Sequence, residues 1–267
     1  MTWLDELSRC LLAAGGALPM GSDGMYLLYV EDAALILKHW NGETFDSEEF
    51  IAESVLPTSP APYLTTPTGR IIVCISSSFT LCALKYDNDS GEWVDEESLG
   101  QHEVHPKGRV AGSITADGRN IYYLNSSKQL VHLDNSWKST VLPVNAVEDS
   151  PLATSSAGGK LRLFYVSADN YVHYATQQQG GSWTDTICTT YAFSANEKPK
   201  RFLASPNESG GFELFVLTEG KALLRISADG QKKSLGTVNE AGEYVPATKE
   251  EAIVRMPHLW GTIEIYF

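Results

Sequence analysis

Arg162 and His173 are the two residues of this chain best placed for joint chemistry, since they fall on neighbouring predicted strands, near Tyr165 and Tyr171. A guanidinium facing an imidazole would bind an acidic or phenolic ligand, with the histidine exchanging protons near neutral pH. The plainer alternative is a hydrogen-bonded pair on a sheet surface. A second set, Tyr63, Arg109, Arg201, Phe202, Arg255 and His258, stands on or beside the strands that open or close repeats. Cations converging there would hold a carboxylate or polarise an enone or quinone oxygen. Their alternative use is to cap strand ends or to pair with the abundant acids. Trp40 and Trp260 lie outside the regular tryptophan positions and are candidate pocket walls.

Other chemistries find no footing in the sequence. No GxSxG surrounds a serine, so a hydrolase nucleophile is not expected. The six histidines form no HxH or HExxH pair, and no metal site is expected. Asp87-Asn-Asp-Ser-Gly91 opens like a calcium loop but offers Ser98, not a glutamate, at its twelfth position, so it reads as a hairpin turn. Ala116-Asp-Gly and Ala228-Asp-Gly read the same way. Glycine-rich phosphate loops and dinucleotide fingerprints are missing, and no cofactor is expected. Cys10, Cys74, Cys82 and Cys188 make no CxxC pair and are expected to be free, buried thiols, although Cys74 and Cys82 fall on successive strands and could touch. A net charge of -13 argues against nucleic acid or an anionic membrane as partner. The opening residues lack the basic start of a secretory signal and no apolar run reaches membrane-spanning length, so the expected location is cytoplasmic.

The elements that must position these residues repeat. Ser22, Thr66, Ser113, Ser155 and Ser205 recur at intervals of 44, 47, 42 and 50 residues, each ending a short apolar stretch. Phe45, Trp93, Trp137 and Trp183 keep the same beat. A period in the forties carried by strand-like segments is the signature of a propeller. The fourth unit shows the pattern best: Lys160-Leu-Arg-Leu-Phe-Tyr-Val166 alternates with Leu161, Leu163 and Tyr165 on one face, Ala168-Asp-Asn turns, Tyr171–Ala175 returns, and Trp183 begins an outer strand. The expected fold is therefore all-β, a single six-bladed propeller over 1–267. Its units run about 18–60, 61–108, 109–149, 150–198 and 199–250. Residues 251–267 would join 1–10 in a sixth blade, with Thr2–Leu7 as its outer strand. The Ser/Thr column is expected to be structural, with hydroxyls bonding between adjacent inner strands.

The segment Leu161–Ala175 and the Gly181-Ser-Trp183 after it resemble the strand–turn–strand–tryptophan unit of the fungal fucose-specific lectins, and weaker copies cover nearly the whole chain. The resemblance implies six blades with sugar sites between them. At each site an arginine on the second strand and a glutamate on the third would hold sugar hydroxyls, with aromatics on the apolar face. Arg162 occupies the arginine position in the fourth unit and His173 that of the glutamate. Asn120 and His132 take these positions in the third unit, Met25 and Leu37 in the first, and apolar residues in the second, while Glu213 reverses the charge in the fifth. No unit keeps the arginine–glutamate pair.

Two functions follow as expectations. In the first, the chain is a cofactor-free cyclase, similar to lectin-like propellers of fungal natural-product pathways that guide hetero-Diels–Alder additions. Its catalytic groups would be Arg162, His173, Arg255 and His258, and its pocket would be lined by Trp40, Tyr63, Tyr165, Tyr171, Phe202 and Trp260. Its substrate would be a small apolar, phenolic or polyene molecule, oriented in a water-excluding pocket. In the second, the chain is a glycan-binding lectin with few surviving sites, the fourth unit foremost. Either reading is compatible with a homodimer.

Overall fold

The computed structural model describes residues 3–17, 24–66, 69–157, 159–178, 181–207, 209–240 and 243–247. It begins with α1 (Trp3–Leu12) and continues as five antiparallel sheets, each running in chain order from one edge to the other. The first sheet holds β1 (Gly15–Ala17), β2 (Met25–Glu31), β3 (Ala34–Trp40) and β4 (Phe45–Ala52). The second holds β5 (Tyr63–Thr66), β6 (Gly69–Ile75), β7 (Leu81–Asp87) and β8 (Glu92–Asp95). The third holds β9 (Val110–Thr115), β10 (Gly118–Leu124), β11 (Leu130–Leu133) and β12 (Ser139–Val141). The fourth holds β13 (Ala153–Ala157), β14 (Lys160–Val166), β15 (Val172–Gln177) and β16 (Trp183–Ile187). The fifth adds a strand to this plan: β17 (Pro199–Pro206), β18 (Phe212–Thr218), β19 (Ala222–Ser227), β20 (Lys232–Val238) and β21 (Tyr244–Pro246).

Two compact units organise these elements, one from Ala13 to Asp149 and the other combining α1 with the chain from Ser150 onward. In the first unit the second sheet is apolar on both faces, which explains the unbroken run Ile71-Ile-Val-Cys-Ile75 where a half-exposed strand would alternate. Ile72, Cys74 and Tyr63 pack with Leu28, Leu35 and Leu37 of the first sheet. Leu64, Ile71 and Val73 pack with Ile121, Tyr123 and Val131 of the third. Gly15 meets the segment that leads into the second sheet: a Cβ there would lie 1.9 Å from the Ala61 carbonyl oxygen.

Two devices repeat that the sequence periodicity does not display. The loops after β6, β10 and β14 share one turn, with Phe79, Lys128 and Asn170 at φ of 60°, 64° and 64° and the same pair of backbone hydrogen bonds across each. Two Ser-Pro steps act as clasps. The Ser59 hydroxyl accepts the Ile75 amide at 3.0 Å and donates to the Pro60 carbonyl, and Ser150 does the same with Val166 and Pro151 at 2.7 and 2.9 Å.

Several expectations need correction. Residues 3–12 are a helix, not an outer strand: Leu4, Leu7 and Leu11 recur at helical spacing and are buried, and the helix packs on β17 and β21. Five sheets, not six, lie among the described residues. The residues assigned to the sixth blade at 251–267 lie outside them, as does the first repeat marker, Leu18–Ser22. Among the described members of the hydroxyl column, Ser113, Ser155 and Ser205 do not bridge neighbouring strands. Thr66 and Ser205 bond to carbonyls of their own hairpins, at Gly69 and Pro206, while the buried hydroxyls of Ser113 and Ser155 have no hydrogen-bond partner. All four cysteines are free; Cys74 and Cys82 stand directly opposite one another, Cys82 only half-buried. Burial pushes the Cys10 and Cys188 thiols up to about 12, which leaves them inert as nucleophiles.

Candidate functional site

β14 alternates, so Arg162, Phe164 and Val166 share one face of the fourth sheet and Leu161, Leu163 and Tyr165 the other. Antiparallel register puts Arg162 between Ser155 and Thr176, and Phe164 opposite Tyr174. Phe212, on β18, meets this face from the fifth sheet. Its ring centroid lies 4.8 Å from that of Phe164 and 5.4 Å from that of Tyr174, both edge-on. The Arg162 guanidinium carbon is 5.6 Å from the Phe212 centroid and 5.9 Å from that of Tyr174. Phe164 and Phe212 are buried, whereas Arg162 and Tyr174 are half-exposed, so the cation stands at the mouth of an aromatic cleft. Ser155, 4 % exposed, brings its unbonded hydroxyl to the same face.

His173 does not join this cluster. It stands opposite Tyr165, an odd number of residues from the Arg162 position, and therefore projects from the other face of the sheet. There it belongs to a chain of its own: the Tyr165 hydroxyl donates to Asp185 at 2.6 Å, His173 Nδ1 lies 3.0 Å from both Asp185 oxygens, and His173 Nε2 lies 3.3 Å from Asp169. Burial and the Asp185 charge push the Tyr165 phenol up. Burial would raise Asp169 as well, but the Tyr171 amide and His173 outweigh it and hold that carboxyl low. The expected Arg162–His173 pair is thus corrected: the sheet separates its members.

The remaining sequence candidates are scattered. Trp40 is 2 % exposed and packs edge-on against Phe45, so it is core of the first sheet and not a pocket wall. Tyr63 is buried, 6.1 Å from Tyr26 and 5.7 Å from Trp93 between ring centroids. Tyr171 lies in the turn before β15, and Phe202 is buried on β17 opposite Val216. Arg109 caps carbonyls at Lys107 and Gly108, both at 3.2 Å, and Arg201 pairs with Leu217 on β17. Arg255, His258 and Trp260 lie outside the described residues. Asn120 and His132 do meet, at 2.9 Å, with the His132 ring stacked on Tyr122, and burial pushes this imidazole down. Met25 and Leu37 are core.

One pair escaped the sequence reading altogether. Glu213 on β18 forms an ion pair with Arg225 on β19, two register positions apart on one face. Its signal was there to be found: 12 residues separate these opposite charges, the same spacing that separates Arg162 from Tyr174. A depression of about 830 Å³, lined by Lys85, Val94, Asp95, Glu96, Glu97 and Ser98, contains none of the expected site residues. Among the described residues, no group of His, Cys, Asp and Glu is placed to hold a metal ion, and no helix is long and apolar enough to cross a membrane.

Solved structures decide the fold. A triple arginine-to-alanine mutant of AofleA from Arthrobotrys oligospora is similar to this chain with a TM-score of 0.66 at 13% identity, covering 86% of this chain and 74% of its own. The Aleuria aurantia lectin, described as a six-bladed β-propeller with a novel mode of fucose recognition, is similar with a TM-score of 0.60 at 15% identity, covering 88% and 81%. SapL1 lectin in complex with α-methyl fucoside gives 0.61 at 14%, covering 88% and 80%. The fold is a lectin-like β-propeller. No family model and no curated protein matches the sequence. The five sheets are blades of this propeller, and the Arg162 cleft lies at the junction of the fourth and fifth.

Proposed function

We propose that this propeller is a glycan-binding protein whose principal site is the cleft formed by Arg162, Phe164, Tyr174 and Phe212. The observation that carries the reading is a guanidinium beside two ring faces at a blade junction, with an unbonded, buried serine hydroxyl on the same face. A monosaccharide has the complementary surface: an apolar patch of C–H groups for the rings and a hydroxyl edge for the charged donor. Hydrogen bonds to a charged group contribute about 1.5–3 kcal/mol each. Fucose is the sugar of choice because several similar propellers are described as fucose lectins or fucoside complexes. The cyclase reading has less support, because the sheet separates two of its four expected catalytic groups, Arg162 and His173.

Calorimetric titration with methyl α-L-fucoside tests the proposal. The expected result is millimolar or tighter binding that Arg162→Ala weakens by at least about tenfold, the loss of one charge-assisted hydrogen bond. Heat that is absent from the wild-type protein, or unchanged in Arg162→Ala, would remove fucose from this cleft.

A further inference from the structure

The junction of the first and second blades, within the Ala13–Asp149 unit, holds a second arginine in a different setting. Arg70 is on β6, opposite Thr65, and shares a face with Ile72 and Tyr63. Its guanidinium carbon sits 3.5 Å above the Tyr86 ring centroid and 5.7 Å from that of Trp93. The rings themselves form a continuous series. Tyr86 and Trp93 are 5.4 Å apart, Trp93 and Tyr63 5.7 Å, Tyr63 and Tyr26 6.1 Å, and Tyr26 lies 4.9 Å from the His39 imidazole. Burial pushes the Tyr63 phenol up, and a hydrogen bond from Arg70 acts in the opposite direction. Arg70, Tyr86, Trp93 and Tyr26 are all half-exposed, leaving the series open along one side.

Arg70 has no carboxylate within ion-pair distance among the described residues, although acids outnumber bases in this chain by 33 to 20. Lys38 on the first blade, by contrast, holds Glu31 and Glu48 at 2.8 and 3.2 Å. A planar guanidinium fixed against a ring and lacking an anion is prepared for bidentate carboxylate recognition. The same cluster contains an unmet donor: the Trp93 indole N–H is buried and bonded to nothing. Such groups are rare in folded proteins and call for a partner. Acids surround the cluster: Asp87 and Glu92 adjoin Tyr86 and Trp93, Asp46 is engaged by His39 at 2.8 Å, and the field of Glu49 reaches Tyr63. They select against polyanions.

We infer that the Arg70–Tyr86–Trp93 cluster is a second binding site, for a ligand that presents one carboxylate beside an apolar ring face, with a hexuronic acid as the fitting class. Arg70 takes the carboxylate, and the open side of the Tyr86–Trp93–Tyr63 series takes the C–H face of the pyranose ring. This site is independent of the Arg162 cleft, which lies in the other compact unit.

The test uses a matched pair of sugars, methyl β-D-glucuronide and methyl β-D-glucoside, which differ in a carboxylate against a hydroxymethyl group. Binding is followed through the indole N–H resonance of Trp93, assigned with Trp93→Phe. The glucuronide is expected to shift this resonance with a millimolar dissociation constant while the glucoside does not. Arg70→Met should weaken the glucuronide by about tenfold or more, and Arg162→Ala should leave it unchanged. Arg70→Lys keeps the charge but loses the planar fork and the ring stacking, so a well-folded Arg70→Lys protein serves if the methionine variant is unstable. Equal shifts with both sugars, no shift with either, or glucuronide binding that persists unweakened in the folded Arg70 variant would overturn the assignment.

Discussion

Asp185 is the hinge of the most informative perturbation this structure offers. Its carboxylate accepts the Tyr165 hydroxyl at 2.6 Å and faces His173 Nδ1 at 3.0 Å. Its own side chain is 37% exposed, whereas Tyr165 is 0% exposed. Removing the acceptor by Asp185→Ala therefore strands a phenol that water cannot reach, at about 1–3 kcal/mol. His173 keeps Asp169 but loses its shorter contact, for about 1 kcal/mol more. Tyr165→Phe removes the donor instead. Asp185 still has His173 and is open to water, so that variant should cost only about 1 kcal/mol. In the double variant the stranded hydroxyl is gone, and its cost should fall below the sum of the two singles by about 1–2 kcal/mol. Urea unfolding of all four proteins, with slopes compared as well as midpoints, measures the cycle. If Tyr165→Phe destabilises as much as Asp185→Ala, or if the two effects simply add, the asymmetry of burial is not what governs this network.

Three further outcomes are expected. Burial raises the Glu6 carboxyl from its ordinary 4.5 to about 7, so the folded state holds a proton that the unfolded chain has released. Stability should be greatest below about pH 4.5 as far as this group is concerned and decline as pH rises toward 7, by about 1–2 kcal/mol after allowance for its half-exposed position. Glu6→Gln should flatten that decline when thermal midpoints at pH 5 and pH 8 are compared. Ser113→Ala removes a hydroxyl that is 1% exposed and unbonded, and should be neutral or stabilising by up to about 1 kcal/mol. Ser59→Ala unfastens the clasp on the Ile75 amide and should cost about 1–3 kcal/mol, so the two serines separate in one denaturation experiment.

The hairpins were legible in the sequence because their alternation is carried by several residues at once. Lys160–Val166 falls where the pattern puts it. Register was less legible, and the site depends on it. Loop length between β14 and β15 decides which residue Arg162 meets, and because side chains alternate, an error of one position moves a partner to the opposite face. Hence Arg162 was matched with His173 when its face holds Tyr174 and Phe212. The N-terminal segment misled because a composite sixth blade needed an outer strand there, while Leu4, Leu7 and Leu11 were already spaced for a helix. Arg70 was passed over because the residues that frame it come from four strands of two blades, a juxtaposition that no local motif carries.

The N-terminal helix has a consequence for synthesis. Among the described elements it is the first to leave the ribosome, yet the strands it packs on, β17 and β21, belong to the last blade described. Roughly 190 residues must be added before β17 emerges, on the order of 10–40 s at ordinary elongation rates. Throughout that interval Leu4, Leu7 and Leu11 have no cover, and the nascent chain offers them to chaperones or to neighbouring chains. The helix is made well before the strands that cover it, so its burial belongs to a late step of assembly.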